Sequence, residues 1–283
     1  MYYIGEDSVN DEYLSNCFYW ARKYGLDIPV YQIDRKKNIK NIKDEKYILM
    51  LTGNEDHESL DYLYENEKIV AIIKNYPHMI NQGSEDSRVY TFDFKRQRLV
   101  CEKEDSRTLN IPLGHTNGYQ IYTFEKRKIQ GGFLGQATLL RRQLIDKIHD
   151  IYPDFKFGLY EGFGPFVQGR NGGSLNIKDY AYNLSNMLVS LCLNGQSPET
   201  FRLFESAMAG CIMLSTPLPD TWYYEDSPII TLHHWDDTET LKSKFEHALC
   251  NSEIFVESSR NWYNEKVSPQ SVGKKIMEHI EKL

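Results

Sequence analysis

The residues best suited to chemistry lie close together, between Asn194 and Glu205 in the run Asn-Gly-Gln-Ser-Pro-Glu-Thr-Phe-Arg-Leu-Phe-Glu. Ser197 and Pro198 read as the N-cap and first residue of a helix, and Gly210 as the left-handed residue that ends it. A helix N-terminus presents unpaired amides and a partial positive charge, so it stabilises an anion. Ser197, Thr200 and Arg202 add donors there, and a diphosphate fits. Phe201, Leu203, Phe204, Ala207 and Met208 share one broad side of the helix, with Arg202 and Glu205 along its border with solvent. Glu205, about two turns deeper, faces a hydroxylated group carried by that diphosphate, as a carboxylate does when it holds ribose hydroxyls. The same two charges also read as a surface ion pair at i and i+3. The helix by itself leaves both readings open.

The elements that must position these residues are short. Tyr2-Tyr3-Ile4 predicts a strand and Asp11 to Tyr24 a helix that ends at Gly25. Ile28 to Ile33, Tyr47 to Leu51 and Ile69 to Ile73 predict strands, with Leu60 to Tyr64 in a helix between the last two. Alternation of this kind predicts parallel sheets with crossover helices and ligands at the carboxyl ends of the strands. The loops Gly5-Glu6-Asp7-Ser8, Thr52-Gly53-Asn54-Glu55-Asp56-His57 and Asn75-Tyr76-Pro77-His78 therefore draw attention. From Gln82 to Asn117 the pattern is polar and irregular, reads as a domain connection, and ends near Ile111-Pro112-Leu113-Gly114-His115.

The second half restarts the alternation. Ile129 to Leu134 predicts a strand, Gly135 a turn, and Thr138 to Ile151 a helix with Leu140, Leu144, Ile148 and Ile151 as its apolar stripe. Phe155 to Tyr160 follows as a strand, then a glycine-rich loop, a helix from Asp179 to Asn186 and a strand from Met187 to Leu193. Beyond the first helix discussed, Cys211 to Ser215 and Ile229 to Leu232 are strands and Thr238 to Leu249 a helix. Ser268-Pro269 caps a last helix whose stripe is Val272, Ile276, Ile280 and Leu283.

The 283 residues suit two small domains, and 41% hydrophobic with 26% charged residues is a globular composition. The net charge of −7 and short basic runs argue against a nucleic-acid or anionic-membrane face, leaving room for a small anionic ligand held by local cations. No apolar run approaches the ~20 residues of a membrane span, and the N-terminus lacks the pattern of a signal peptide; the expectation is a soluble cytoplasmic protein. The five cysteines, at 17, 101, 192, 211 and 250, are widely spaced and read as buried free thiols. Neither a Gly-x-Gly-x-x-Gly nor a P-loop motif occurs, which disfavours redox and P-loop enzymes.

The run from Tyr182 to Leu214 resembles the donor-binding motif of exostosin-like glycosyltransferases. It carries Leu188 to Leu193, Asn194-Gly195, Ser197, Thr200-Phe201-Arg202, Glu205-Ser206-Ala207 and Gly210-Cys211-Ile212 in the family's order. Ile111-Pro112-Leu113-Gly114 is similar to that family's linker, and Phe133-Leu134-Gly135 precedes a helix bearing Arg141 and Arg142. Leu193 and Met213 stand where the family often has proline.

The resemblance implies a GT-B architecture of the α/β class, with two Rossmann-like parallel-sheet domains facing a cleft. Residues 1–114 would form the acceptor domain, 115–265 the donor domain, and 266–283 a helix crossing back to the first domain. It implies an inverting, metal-independent transfer of a sugar, with short xylosyltransferases the nearest match, from a UDP-linked donor to a glycan hydroxyl. No Asp-x-Asp occurs, so arginines and helix amides must meet the charge of the leaving diphosphate. Glu205 would hold the ribose and Arg202 the diphosphate, helped by Arg142, Arg170, Asn194, Ser197, Thr200 and Tyr182. Inversion needs a general base, for which Asp7 and Glu6 come first, then Glu55, Asp56 and His57, then His78 and His115. No cofactor is implied, since the nucleotide sugar is a substrate. The alternatives are a GT-B epimerase or hydrolase, active on the donor without acceptor, and a non-catalytic module that binds nucleotide sugar or glycan without turnover.

Overall fold

The structure, a computed structural model, describes residues 2–3, 9–34, 42–52, 61–80, 82, 90–136, 138–160, 176–195 and 197–283. The chain divides into two compact units.

Unit 1 contains Met1–Asn117, Pro219–Glu225 and Asn264–Leu283. Its sheet is made of β1 (Tyr2–Tyr3), β2 (Val30–Asp34), β3 (Tyr47–Thr52), β4 (Ile69–Lys74) and β7 (Thr108–Asn110). They lie in the order β1-β2-β3-β4-β7, every pair parallel. Alternate residues serve opposite faces: Val30, Ile48, Met50, Ala71 and Ile73 on one, Tyr47, Leu49, Leu51 and Ile72 on the other. The second face meets Leu63 of α2 (Asp61–Tyr64), and covering both faces is what keeps a parallel sheet dry. On the first face lie α1 (Asp11–Lys23), through Tyr13, Leu14, Cys17, Phe18 and Ala21, and α8 (Pro269–Ile280), through Val272 and Ile276. The two helices touch at Gly273, where a Cβ would lie 2.6 Å from the Cys17 carbonyl oxygen and 2.7 Å from the Ala21 nitrogen. Ser268 caps α8 by accepting from the Ser271 amide. The last helix of the chain is thus part of the first unit. Between β4 and β7 runs an antiparallel hairpin, β5 (Phe92–Asp93) and β6 (Arg98–Leu99), with the short β12 (Leu218–Pro219) beside β6.

Unit 2 contains Gly118–Leu218 and Asp226–Tyr263. Its strands are β8 (Ile129–Gln136), β9 (Lys156–Tyr160), β10 (Met187–Cys192), β11 (Ile212–Ser215) and β13 (Ile230–Thr231), parallel in the order β13-β11-β10-β8-β9. One face packs on α3 (Leu139–Ile151) and α6 (Thr238–Cys250) through Leu144, Ile148, Leu241 and Phe245. The other packs on α4 (Ile177–Ser185) through Ala181 and Leu184. Helix α5 (Phe201–Met208) joins β10 to β11, and its Phe204 stacks on Trp262 of α7 (Ser252–Trp262). A π-helical turn, Tyr263–Val267, leads from α7 towards α8.

Several details depart from the sequence expectations. Strand β7 lies in the stretch read as irregular; at three residues it is too short to show a period, and pairing with β4 is what makes it a strand. Gly135 is not a turn but a residue of β8 opposite Leu159, and a Cβ there would fall on the Arg202 guanidinium. Leu140 is exposed, because the buried face of α3 begins at Arg141. Leu283 lies beyond α8 and is exposed, and Cys250 is also exposed, whereas Cys17, Cys192 and Cys211 are buried and all five thiols are free. No described helix is long and apolar enough to cross a membrane.

Candidate functional site

The site lies at the carboxyl ends of β8 and β10 in unit 2. Residues 197–200 do not form a first helical turn: the Gly195 amide donates to the Ser197 carbonyl at 3.0 Å, and α5 begins only at Phe201. Ser197 is therefore not the N-cap. That position falls to Thr200, whose side chain makes no capping bond. Gly210 has φ +68° and closes the helix as its position requires. With its hydroxyl not committed to capping, the loop keeps polar groups for another use. Asn194 Oδ1, Ser197 Oγ and Thr200 Oγ1 are all buried without a hydrogen-bond partner among the described residues.

Two arginines converge on one ring. The Arg202 guanidinium lies 4.2 Å from the centroid of Phe133, and that of Arg141 5.2 Å from it. Arg141 is buried and spends its donors on backbone: Nε to the Asn194 carbonyl at 2.8 Å, Nη1 to Gln136 at 2.9 Å and Nη2 to Leu193 at 3.1 Å. It ties the end of β8 to the end of β10. Arg202 donates through Nη2 to the Leu134 carbonyl, while its buried Nε and Nη1 have no partner among the described residues. No described carboxylate lies within ion-pair distance of either guanidinium. Burial, and then the neighbouring Arg202 charge, hold Arg141 below the usual arginine range. A buried and a half-buried cation side by side form an electrostatic deficit that an anion removes.

Glu205 lies three residues after Arg202 on α5. It is not at the solvent border, being 1% exposed. Its Oε2 accepts from the Tyr180 hydroxyl at 2.7 Å, and its backbone carbonyl accepts from Tyr119 at 3.1 Å. Burial and the negative Glu205 raise the Tyr180 phenol well above its ordinary pKa, so it stays protonated and donates. A buried carboxylate that accepts from a phenol is a fixed acceptor of hydroxyl hydrogen bonds.

The structure sorts the remaining candidates. Arg142 is exposed on α3, and its neighbour Arg141 reaches the strand ends instead. Tyr182 is exposed and meets Tyr122 and Phe124 edge-on at 5.5 and 5.2 Å; it is Tyr180, two residues earlier on α4, that touches Glu205. Periodicity carried this signal, since i and i+2 leave a helix on different sides. In unit 1, His78 pairs with Glu102 at 3.4 Å, and buried His115 packs edge-on to Tyr13. Sequence reasoning also passed over Lys74, buried at the end of β4 and paired with Glu104, which accepts from Asn110 at 2.6 Å. Glu6, Asp7, Glu55, Asp56, His57 and Arg170 lie outside the described residues.

No protein-family model matches the chain, and no curated protein sequence is similar to it. Solved structures are similar. The GtfA/B complex superposes with a TM-score of 0.50 at 12% identity, over 93% of this chain and 59% of the other. The pneumococcal O-GlcNAc transferase GtfA, in complex with UDP and GlcNAc, gives 0.48 at 11% identity, over 84% of this chain and 57% of that one. Sucrose-phosphate synthase from Thermosynechococcus elongatus gives 0.49 at 11% identity, over 93% and 75%. The chain thus spans less than three fifths of the first two. Two parallel α/β units, a last helix returned to the first of them, and this likeness together give the chain the GT-B fold.

Proposed function

We propose that this protein is a glycosyltransferase that takes a nucleotide sugar, UDP-linked, and transfers the sugar with inversion to a hydroxyl of a glycan. Xylose is the sugar in the narrowest form of the reading. One observation carries it: buried Arg141 and half-buried Arg202 share Phe133 without a counter-charge among the described residues, beside three orphaned polar side-chain atoms. A diphosphate supplies the missing anion, accepting from Arg202 Nε and Nη1 and from the hydroxyls of Ser197 and Thr200. The nucleotide's ribose then extends along α5 to Glu205, whose carboxylate accepts from its hydroxyls.

In the reaction the acceptor oxygen forms a bond to the anomeric carbon as the bond from that carbon to the diphosphate oxygen breaks. The leaving diphosphate gains charge, and the fixed arginines stabilise it more than they stabilise the donor. The acceptor's proton passes to a carboxylate or imidazole, for which Asp7 and Glu6 are the first choice and Glu55, Asp56 and His57 the second. The proposal assigns the charge on the diphosphate to protein groups, without a metal ion.

The reading is tested by thermal denaturation with UDP and UDP-sugars in the presence of EDTA, followed by assay for sugar transfer to a glycan panel. UDP is expected to raise Tm in EDTA, and Glu205→Gln and Arg202→Gln to remove most of that rise. Equal rises in wild type and both variants would overturn the site, and donor turnover that needs no acceptor would replace transfer by hydrolysis or epimerisation.

A further inference from the structure

Asn194 stands just past β10, and the fold fixes its backbone at both polar atoms. Its amide donates to Thr216 Oγ1 at 2.9 Å, and its carbonyl accepts from Arg141 Nε at 2.8 Å. Thr216 is itself buried just past β11, and Ser215 before it donates through Oγ to the Cys192 carbonyl at 2.8 Å. The next residue is close-packed as well: a Cβ on Gly195 would lie 3.0 Å from Arg141 Nη2 and 3.7 Å from Thr200 Cγ2. In this fixed setting the carboxamide oxygen of Asn194 is buried and has no hydrogen-bond partner among the described residues. A buried acceptor left unpaired costs free energy, and a ligand that donates to it removes that cost.

The diphosphate does not meet this need. Phosphate oxygens accept hydrogen bonds and so suit Arg202, Ser197 and Thr200, whereas a carboxamide oxygen also accepts and cannot donate. A UDP-sugar donates through its uracil N–H, its ribose hydroxyls and its sugar hydroxyls. The ribose is assigned to Glu205, three residues past Arg202 and about 4.5 Å further along the axis of α5, and the base is joined to that ribose. Asn194 instead precedes α5, in the loop that carries Ser197 and Thr200. The groups assigned to the diphosphate thus stand between it and Glu205 along the chain, which leaves it the sugar, the other substituent of the diphosphate. We infer that the Asn194 carboxamide oxygen accepts a hydrogen bond from the 2-hydroxyl of the transferred sugar, the sugar hydroxyl nearest the diphosphate in the covalent structure. The donor is then a sugar with a free hydroxyl on carbon 2. As the anomeric carbon gains positive charge, that hydroxyl becomes a stronger donor, so the bond tightens in the transition state and Asn194 serves catalysis as well as selection. This inference rests on the nucleotide-sugar reading of unit 2.

The test uses calorimetry with UDP, UDP-xylose, UDP-glucose and the 2-deoxy-2-fluoro analogues of the two UDP-sugars, on wild type and Asn194→Ala. Fluorine keeps much of the size and polarity of the hydroxyl and cannot donate. Wild type is expected to bind at least one of the hydroxyl donors about five-fold or more tightly than its fluoro analogue. Asn194→Ala should lose that preference and keep the wild-type affinity for UDP. Equal affinity of wild type for the hydroxyl and fluoro donors in both pairs would overturn the inference without recourse to the variant. A preference that survives in Asn194→Ala would overturn it too, by placing the 2-hydroxyl on another residue, as would a loss of UDP affinity in that variant, by placing Asn194 against the nucleotide. Failure of wild type to bind UDP would strike the proposed function first, and this inference with it.

Discussion

Replacing Arg202 by methionine should separate stability from binding. In the unliganded protein the guanidinium makes one hydrogen bond, to Leu134, and stacks on Phe133. The first contributes about 1.5–3 kcal/mol and the second about 0.5–2 kcal/mol. Against them stand two buried N–H groups without a partner among the described residues, at about 1–3 kcal/mol each, and repulsion from Arg141. The terms nearly cancel, and methionine keeps the stem's contact with the ring. The unliganded Tm should therefore move by only a few degrees, at ~2–4 °C per kcal/mol for a chain approaching this size. Binding behaves differently. UDP at a hundred times Kd stabilises wild type by about 2.7 kcal/mol, and losing two charge-assisted bonds raises Kd at least ~100-fold. At the same UDP concentration about 0.4 kcal/mol remains, a shift of roughly one degree. Differential scanning calorimetry with and without UDP reads both numbers. A variant that unfolds more than ~10 °C lower while keeping the full UDP shift would show that Arg202 is a structural residue, and the anion site would be refuted.

Tyr180→Phe leaves Glu205 without its phenol partner; UDP should bind about three- to ten-fold more weakly, and the preference for UDP over its 2′,3′-dideoxy form should shrink, both by calorimetry. In Gly135→Ala the new methyl meets the Arg202 guanidinium and displaces it, so UDP affinity should fall about ten-fold or more while far-UV circular dichroism stays native. Gly273→Leu forces α8 off α1 and should lower Tm through a loss of about 2–3 kcal/mol or more; an unchanged Tm would contradict the close contact. Burial lowers His233, His234 and His279 below the ordinary value of 6.5. The unfolded chain then binds more protons than the folded one in acid, so stability is fully present above pH 6.5 and falls below it. A Tm that drops between about pH 6.5 and 5, and drops less in His279→Gln, checks the sign.

The architecture was largely legible in the sequence because buried parallel strands are nearly continuous apolar runs, and amphipathic helices repeat every three to four residues. Tyr47 to Leu51, Ile69 to Ile73 and Met187 to Cys192 are strands for that reason, and Gly210 and Ser268 act at helix ends because their chemistry is local. Strand β7 escaped because a three-residue strand exists only through its neighbour.

The placement of Arg202 and Glu205 on one helix was also readable, since both lie within one turn. Its surroundings were not. Which of Arg141 and Arg142 turns inward depends on where α3 meets the ends of β8 and β10, and the answer is Arg141, held by three carbonyls. Tyr180 rather than Tyr182 reaches Glu205 because α4 lies on the sheet by its Ala181 and Leu184 face. Ser197 gave up the capping role when the Gly195 amide took its carbonyl, a bond within a loop that no period announces. Local sequence thus determined most of the elements and the ends at Gly210 and Ser268, because those rest on backbone geometry and hydrophobic period. Only the tertiary structure decided which polar side chains lost their water and met one another, because desolvation and charge proximity are properties of the assembled fold.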